Sequence, residues 1–111
     1  MAKAKNKTEV LASSGNVFAD LGLANAGERQ TKVRLAVALN HIIHQGHLSQ
    51  AAAAKALSVN QPKISALANY RLDGFSVERL MQFLNALGRD VEIVIRKPRS
   101  RRAARIVVTA A

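Results

Sequence analysis

The 111-residue chain contains no cysteine and no tryptophan. The first absence excludes disulfides, thiolate nucleophiles and cysteine-based zinc sites. The second, with only three phenylalanines and one tyrosine, suits a single small helical domain whose core is built from Leu, Ile, Val and Ala. Acidic side chains are scarce: seven Asp and Glu stand against seventeen Lys and Arg, a formal net charge of +10. Those seven are scattered, no glycine-rich phosphate loop is present, and no nucleophile has a base beside it, so the expectation is a protein that is not an enzyme and needs no cofactor. Long apolar runs are missing as well. The basic N-terminus MAKAKNKTEV has no hydrophobic stretch behind it, which argues against a signal peptide or a membrane span, and the basic C-terminal tail lacks the bulky apolar face of an interfacial helix. A cytoplasmic setting without a membrane partner is expected.

What the chain has in excess is positive charge, unevenly spread. Four cations and three acids leave +1 in residues 1–30, seven and three leave +4 in residues 31–90, and six and one leave +5 in residues 91–111. Such an excess favours a polyanionic partner.

Leu48 to Asn69, LSQAAAAKALSVNQPKISALAN, organises the rest. Ser49 is placed to cap a short helix ending near Leu57, Ser58-Val59 to turn the chain, and Asn60 to cap a second helix. Ala53, Ala54, Leu57 and Val59 in the first half, and Ile64 and Leu67 in the second, fall on faces that can close on each other, with the small Ala54 permitting a close, steep crossing. Gln50, Ala54, Ile64 and Leu67 then occupy the first, fifth, fifteenth and eighteenth positions of a helix-turn-helix. The ninth position, where a left-handed residue is expected, is Ser58 in place of the usual Gly, at a cost of about 1 kcal/mol.

Around this motif, residues 1–15 read as a flexible basic arm. Asn16 to Leu23 carries Val17, Phe18, Leu21 and Leu23, enough apolar surface to dock on the chain's own core or on another protein. Asn25 and Glu28 form a capping-box-like start to a long helix that ends at Gly46, with Leu35, Ala36, Leu39, Ile42 and Ile43 as its buried stripe. Ser76 caps a later helix with Leu80, Met81, Leu84 and Leu87 inward, stopped by Gly88. The period then becomes two: Val91, Ile93 and Ile95 alternate with Glu92, Val94 and Arg96, a strand that needs a partner. Ile106 to Thr109 across the loop KPRSRRAA could supply one as a hairpin, and so could a second copy of the chain. Val91, Ile93, Val94 and Ile95 are the expected dimerisation residues. Residues 16–96 are thus expected to form a helix-turn-helix domain, suited to DNA, that ends in a dimerisation strand, and residues 97–111 a basic tail with a possible second strand.

If Ile64 and Leu67 point inward, Pro62, Ser65, Ala66 and Asn69 lie opposite, with Asn60 and Gln61 at the helix start. In a major groove, Gln61 can bond adenine N6 and N7, Ser65 either kind of base edge, and Ala66 or Pro62 a thymine methyl. Pro62 suits a first turn that does not need its N–H. Lys63 lies on the flank, for a phosphate or an edge guanine. Gln50 and the helix start behind Ser49 can bond a phosphate. Arg71, Lys55, Arg99, Arg101 and Arg102 add charge, Arg71 foremost. For each of these residues the bland alternative is a solvated helix face. His41, His44 and His47 invite a metal, but His47 lies beyond Gly46 and no Cys, Asp or Glu completes a tetrahedral set.

The segments SSGNVFADLGL, LSQAAAAKALSVNQPKISAL and LDGFSVERLMQFLNALGRDVEIVIR resemble the small Xre/Cro-like helix-turn-helix proteins, in particular the HigA-like antitoxins encoded beside RelE/HigB-type toxins. The resemblance implies a mainly α, Cro/C1-repressor-like helical bundle with a short C-terminal β-strand or hairpin used in dimerisation. It also implies a homodimeric repressor of an inverted-repeat DNA operator that neutralises a ribonuclease toxin, contacting DNA through Gln50, Gln61, Pro62, Lys63 and Ser65. The toxin would meet either Val17, Phe18 and Leu21 of the N-terminal segment or the C-terminal β element. Two departures stand out: Ser58 replaces a usual Gly, and Ala68-Asn69-Tyr70 replaces a run that often ends in Gly. A solitary phage-type regulator and a protein-interaction module without specific DNA binding are the competing expectations.

Overall fold

Among the described residues, four α-helices carry the fold: α1 (Leu23–Gln45), α2 (Gln50–Leu57), α3 (Gln61–Ala68) and α4 (Val77–Ala86). The structure, a computed structural model, describes the backbone of residues 8–9, 11–12 and 23–110 and the side chains of residues 27–110. Val17, Phe18, Leu21 and most of the expected N-terminal arm lie outside the described residues. The chain divides into one unit of residues 1–30 and another of residues 31–111. In the first, Thr8–Glu9 pairs with Leu11–Ala12 as two-residue parallel segments.

The second unit is the helical body. Its buried core is Leu35, Ala36 and Leu39 of α1, Ala53, Ala54 and Leu57 of α2, Ile64 and Leu67 of α3, Leu72 and Phe75 of the following loop, and Leu80, Phe83 and Leu84 of α4. Ile42, Ile43, Val59, Met81 and Leu87 pack at its margin. The expected stripe of α1 is therefore the buried one. In α4 the sequence reading missed Phe83, whose ring meets Phe75 edge-on at 6.0 Å. Helix α1 begins two residues before the expected Asn25.

All four helices end the same way. In each, one N–H reaches back three residues and the next reaches back five: His47 to His44 and Leu48 to Ile43, Ser58 to Lys55 and Val59 to Ala54, Tyr70 to Leu67 and Arg71 to Ala66, Gly88 to Asn85 and Arg89 to Leu84. This is the Schellman ending, which consumes two orphan carbonyls per helix and places the first donor in the left-handed region. The residues there are His47 (φ 54°), Ser58 (φ 57°), Tyr70 (φ 58°) and Gly88 (φ 81°). Glycine was thus correctly expected at the end of α4, whereas at α1 the left-handed residue is His47 and not Gly46. At Ser58 and Tyr70 the backbone takes the path that Gly would ease, so both departures from the family pattern are absorbed as local strain.

The expected C-terminal strand is corrected by the structure. Residues 89–108 and onward to 110 form neither a strand nor a hairpin, and the last backbone–backbone hydrogen bond among the described residues is Arg89 N–H to the Leu84 carbonyl. Only Val91 and Val108 reach the core. One face of the run, Val91, Ile93 and Ile95, is apolar, the other carries Glu92 and Arg96 around Val94, and the intervening loop gathers like charges around Pro98, which cannot donate to a ladder. Ile93, Val94 and Ile95 stay 75%, 67% and 93% exposed.

Candidate nucleic-acid interface

The two motif helices are set by their caps. The Ala52 N–H donates to the Ser49 hydroxyl oxygen at 3.1 Å, and the Lys63 N–H donates to Asn60 Oδ1 at 3.0 Å. Both cap residues are extended, as an N-cap requires. With Ser49 occupied by Ala52, the N–H groups of Gln50 and Ala51 keep no protein partner among the described residues. They form the anion-favouring first turn that the sequence suggests.

On α3, Ile64 and Leu67 are buried while Gln61, Pro62, Ala68 and Asn69 are exposed and Ser65 is half-buried. Gln61, Ser65 and Ala68 follow one another at i, i+4 and i+7, a strip running the length of the helix. The sequence reading did not include Ala68, although its spacing from Gln61 signals it. Ala66 is partly committed to the core, and the Asn69 side-chain amide donates to its own helix at Ser65 C=O, 2.8 Å away. Asn60 serves as the cap. Gln61 forms no side-chain hydrogen bond among the described residues, so its amide is available for an external edge.

Lys63 departs most from expectation. Its Nζ donates to the Gly74 carbonyl at 3.1 Å and sits 4.8 Å from the centroid of Phe75. The ammonium is therefore directed onto the loop after α3. Arg79 lies 5.2 Å over Phe83, and the two cation–aromatic pairs line an open cleft of about 340 Å³ with Val59, Gly74 and Ser76. Asn40 of α1, a residue the sequence reading passed over, donates from Nδ2 to the Leu67 carbonyl at 3.1 Å. It ties the long helix to the last turn of α3 across 27 positions of sequence, a separation no local pattern reveals. Arg71 and Lys55 are exposed. The three histidines are exposed too, and among the described residues no three His, Cys, Asp or Glu side chains converge on a point that could hold a metal.

Short capped helices closing over small residues, with the second presenting a free polar strip, define a helix-turn-helix protein. The chain matches a helix-turn-helix domain family over residues 17–96 and belongs to it. It is also similar to a solved structure described as a candidate XRE family transcriptional regulator, with 70% identity and a TM-score of 0.75, covering 78% of this chain and 99% of that one. That likeness places the chain in the Xre-like branch of helix-turn-helix proteins. No curated protein matches it. No helix among the described residues is long and apolar enough to cross a membrane.

Proposed function

We propose that this protein is a sequence-specific DNA-binding transcriptional repressor that binds an inverted-repeat operator as a homodimer, without catalysis, in the cytoplasm at the nucleoid. The observation that supports this most is the strip Gln61-Ser65-Ala68 on a helix whose opposite face is locked into the core. Such a strip enters a major groove with Gln61 at the leading end, while the unpaired N–H groups at the start of α2 take a phosphate. The Xre-type relative supports the same reading.

Support for the dimer comes from the C-terminal segment. Residues 91–96 offer exposed β-branched side chains and a backbone with no partner among the described residues, and strand addition by a second copy would satisfy both. Within this reading the repressor acts as an antitoxin. Support for that role is the resemblance of NVFADLGL, QPKIS and LGRDVEIVIR to the HigA-like group, and its partner would be a RelE/HigB-like toxin encoded alongside.

The test is a fluorescence-anisotropy titration against DNA from the protein's own upstream region, with an unrelated duplex beside it. Gln61→Ala should weaken operator binding by about 1–3 kcal/mol, roughly 5- to 150-fold, and leave the unrelated duplex untouched. Equal binding of the unaltered protein to both duplexes would overturn the specific-repressor reading. A neighbouring ribonuclease-like gene product that fails to co-purify with the protein would overturn the antitoxin role and leave a solitary regulator.

A further inference from the structure

The helix-turn-helix is poor in phosphate-directed charge. From Leu48 to Phe75 the cations are Lys55, Lys63 and Arg71, and Lys63 is engaged with Gly74 and Phe75. Phosphate contacts supply most of the sequence-independent affinity of a DNA-binding protein. The two cations left over, Lys55 and Arg71, supply little of it.

The missing charge lies elsewhere. Residues 96–105, RKPRSRRAAR, hold six cations in ten residues and no acid. All ten are exposed, none forms an ion pair among the described residues, and the only hydrogen bond there is Arg102 to its neighbour's carbonyl at 3.1 Å. The chain leaves the core at Val91 and returns to it at Val108, with bends at residues 99–102 between two runs without regular secondary structure. Both ends of the basic stretch are therefore anchored while its tip is free. Fully stretched, the residues from Val91 to Ser100 would span at most about 30 Å, more than the width of a duplex. Between the arginines stand Pro98, Ser100, Ala103 and Ala104, side chains too small to hold the backbone away from a surface.

From these observations we infer that residues 96–105 form a second DNA-contacting element, a basic arm gripping the phosphate backbone beside the half-site read by α3. The inference rests on the DNA-binding reading above and divides the work within it. The helix-turn-helix supplies sequence preference, and the arm supplies salt-sensitive affinity that is indifferent to sequence. Guanidinium groups suit this role because they stay charged and can bond phosphate through two N–H groups at once.

The test is a triple variant of the full chain, Arg99→Gln, Arg101→Gln and Arg102→Gln, titrated from 50 to 200 mM salt against upstream DNA and an unrelated duplex. Three lost phosphate contacts should flatten the log–log salt slope by about 2.7 per chain, so that the affinity lost over that range shrinks by about 40-fold. The change should be the same on both duplexes, and the ratio between them should stay as it was. Replacing the same three arginines by lysine should keep most of the slope, and the thermal melt of every variant should match the unaltered protein. An unchanged slope in the glutamine variant overturns the arm. So does a loss confined to upstream DNA, which would make the arm a base reader. If the unaltered protein shows no preference for upstream DNA but the slope still falls by the expected amount, the operator reading fails and the arm stands.

Discussion

Lys63 can be tested as a clasp separately from any role on DNA. Its ammonium makes one exposed hydrogen bond to Gly74 C=O and one contact with the Phe75 face. An exposed bond of this kind is worth about 0.5 kcal/mol and an exposed cation–π contact about 0.5–1. Immobilising a lysine offsets part of both, which leaves a net of about 0.5–1 kcal/mol. Gly74 is the seat: a Cβ there would stand 2.9 Å from Lys63 Nζ, and its backbone is not left-handed, so Ala brings crowding without strain. Gly74→Ala alone mixes eviction of the ammonium with the stabilising loss of glycine's freedom in the unfolded chain. A double-mutant cycle with Lys63→Ala separates them, because the unfolded-state term cancels. In urea unfolding, Gly74→Ala should be less favourable by about 0.5–1 kcal/mol when Lys63 is present than when it has been truncated to alanine. Additivity within about 0.3 kcal/mol would refute the clasp and return Lys63 to the solvent, free to meet phosphate.

The remaining expectations concern the helix ends, the tether and the dimer. Relieving left-handed strain of about 1–2 kcal/mol at Ser58, against the roughly 0.4–1 that glycine costs through the unfolded chain, should make Ser58→Gly more stable by roughly 0.5 kcal/mol. Gly88→Ala should lose a similar amount, since its new Cβ would meet nothing within 4 Å and only the backbone is strained; equal urea midpoints for both variants would contradict this. Asn40→Ala should cost about 1 kcal/mol by stripping the Leu67 carbonyl of its half-buried donor. It should also lower binding to upstream DNA more than to an unrelated duplex, and an unaltered preference would show that α3 does not depend on the tether. Ile95→Asp should turn a dimer into a monomer in sedimentation while leaving the helical circular dichroism intact. A monomeric unaltered protein would remove the dimer from the proposal.

The parts legible in the sequence were those written in local chemistry. Ser49, Asn60 and Ser76 announce three helix starts because an N-cap is decided by one side chain and an N–H three residues on. Ala53, Ala54, Leu57, Ile64 and Leu67 announce the crossing because their spacing leaves one buried arrangement. Phe83 was missed although its spacing from Leu80 and Leu87 puts it on the same buried stripe, and the contact it makes there with Phe75 lies on another segment of the chain. Asn40 and Gly74 were invisible for a different reason: each acts on α3 from 27 and 11 residues away through one hydrogen bond. The C-terminal run shows a third kind of limit. Its period of two is real, but a strand is a property of a pair, and the described residues hold no partner for it.

An eight-residue helix such as α3 is far below the ~12–15 residues at which an isolated helix is even marginal. Its rigidity is therefore borrowed: Asn60 caps its start, Ile64 and Leu67 fix its inner face, Asn40 holds its last turn, Tyr70 closes its end, and Lys63 ties its flank to Gly74. The end closure comes at the cost of a left-handed tyrosine. Every one of these contacts is made without the side chains of Gln61, Ser65 or Ala68, so the strip that would face DNA stays unencumbered on a helix already immobilised. Ordering costs on binding then fall on the long arginines of the basic arm and hardly at all on the reading surface. That asymmetry gives the division of labour a physical basis. A preorganised neutral strip discriminates between base pairs at small entropic cost, and an exposed cationic arm contributes affinity that salt can tune.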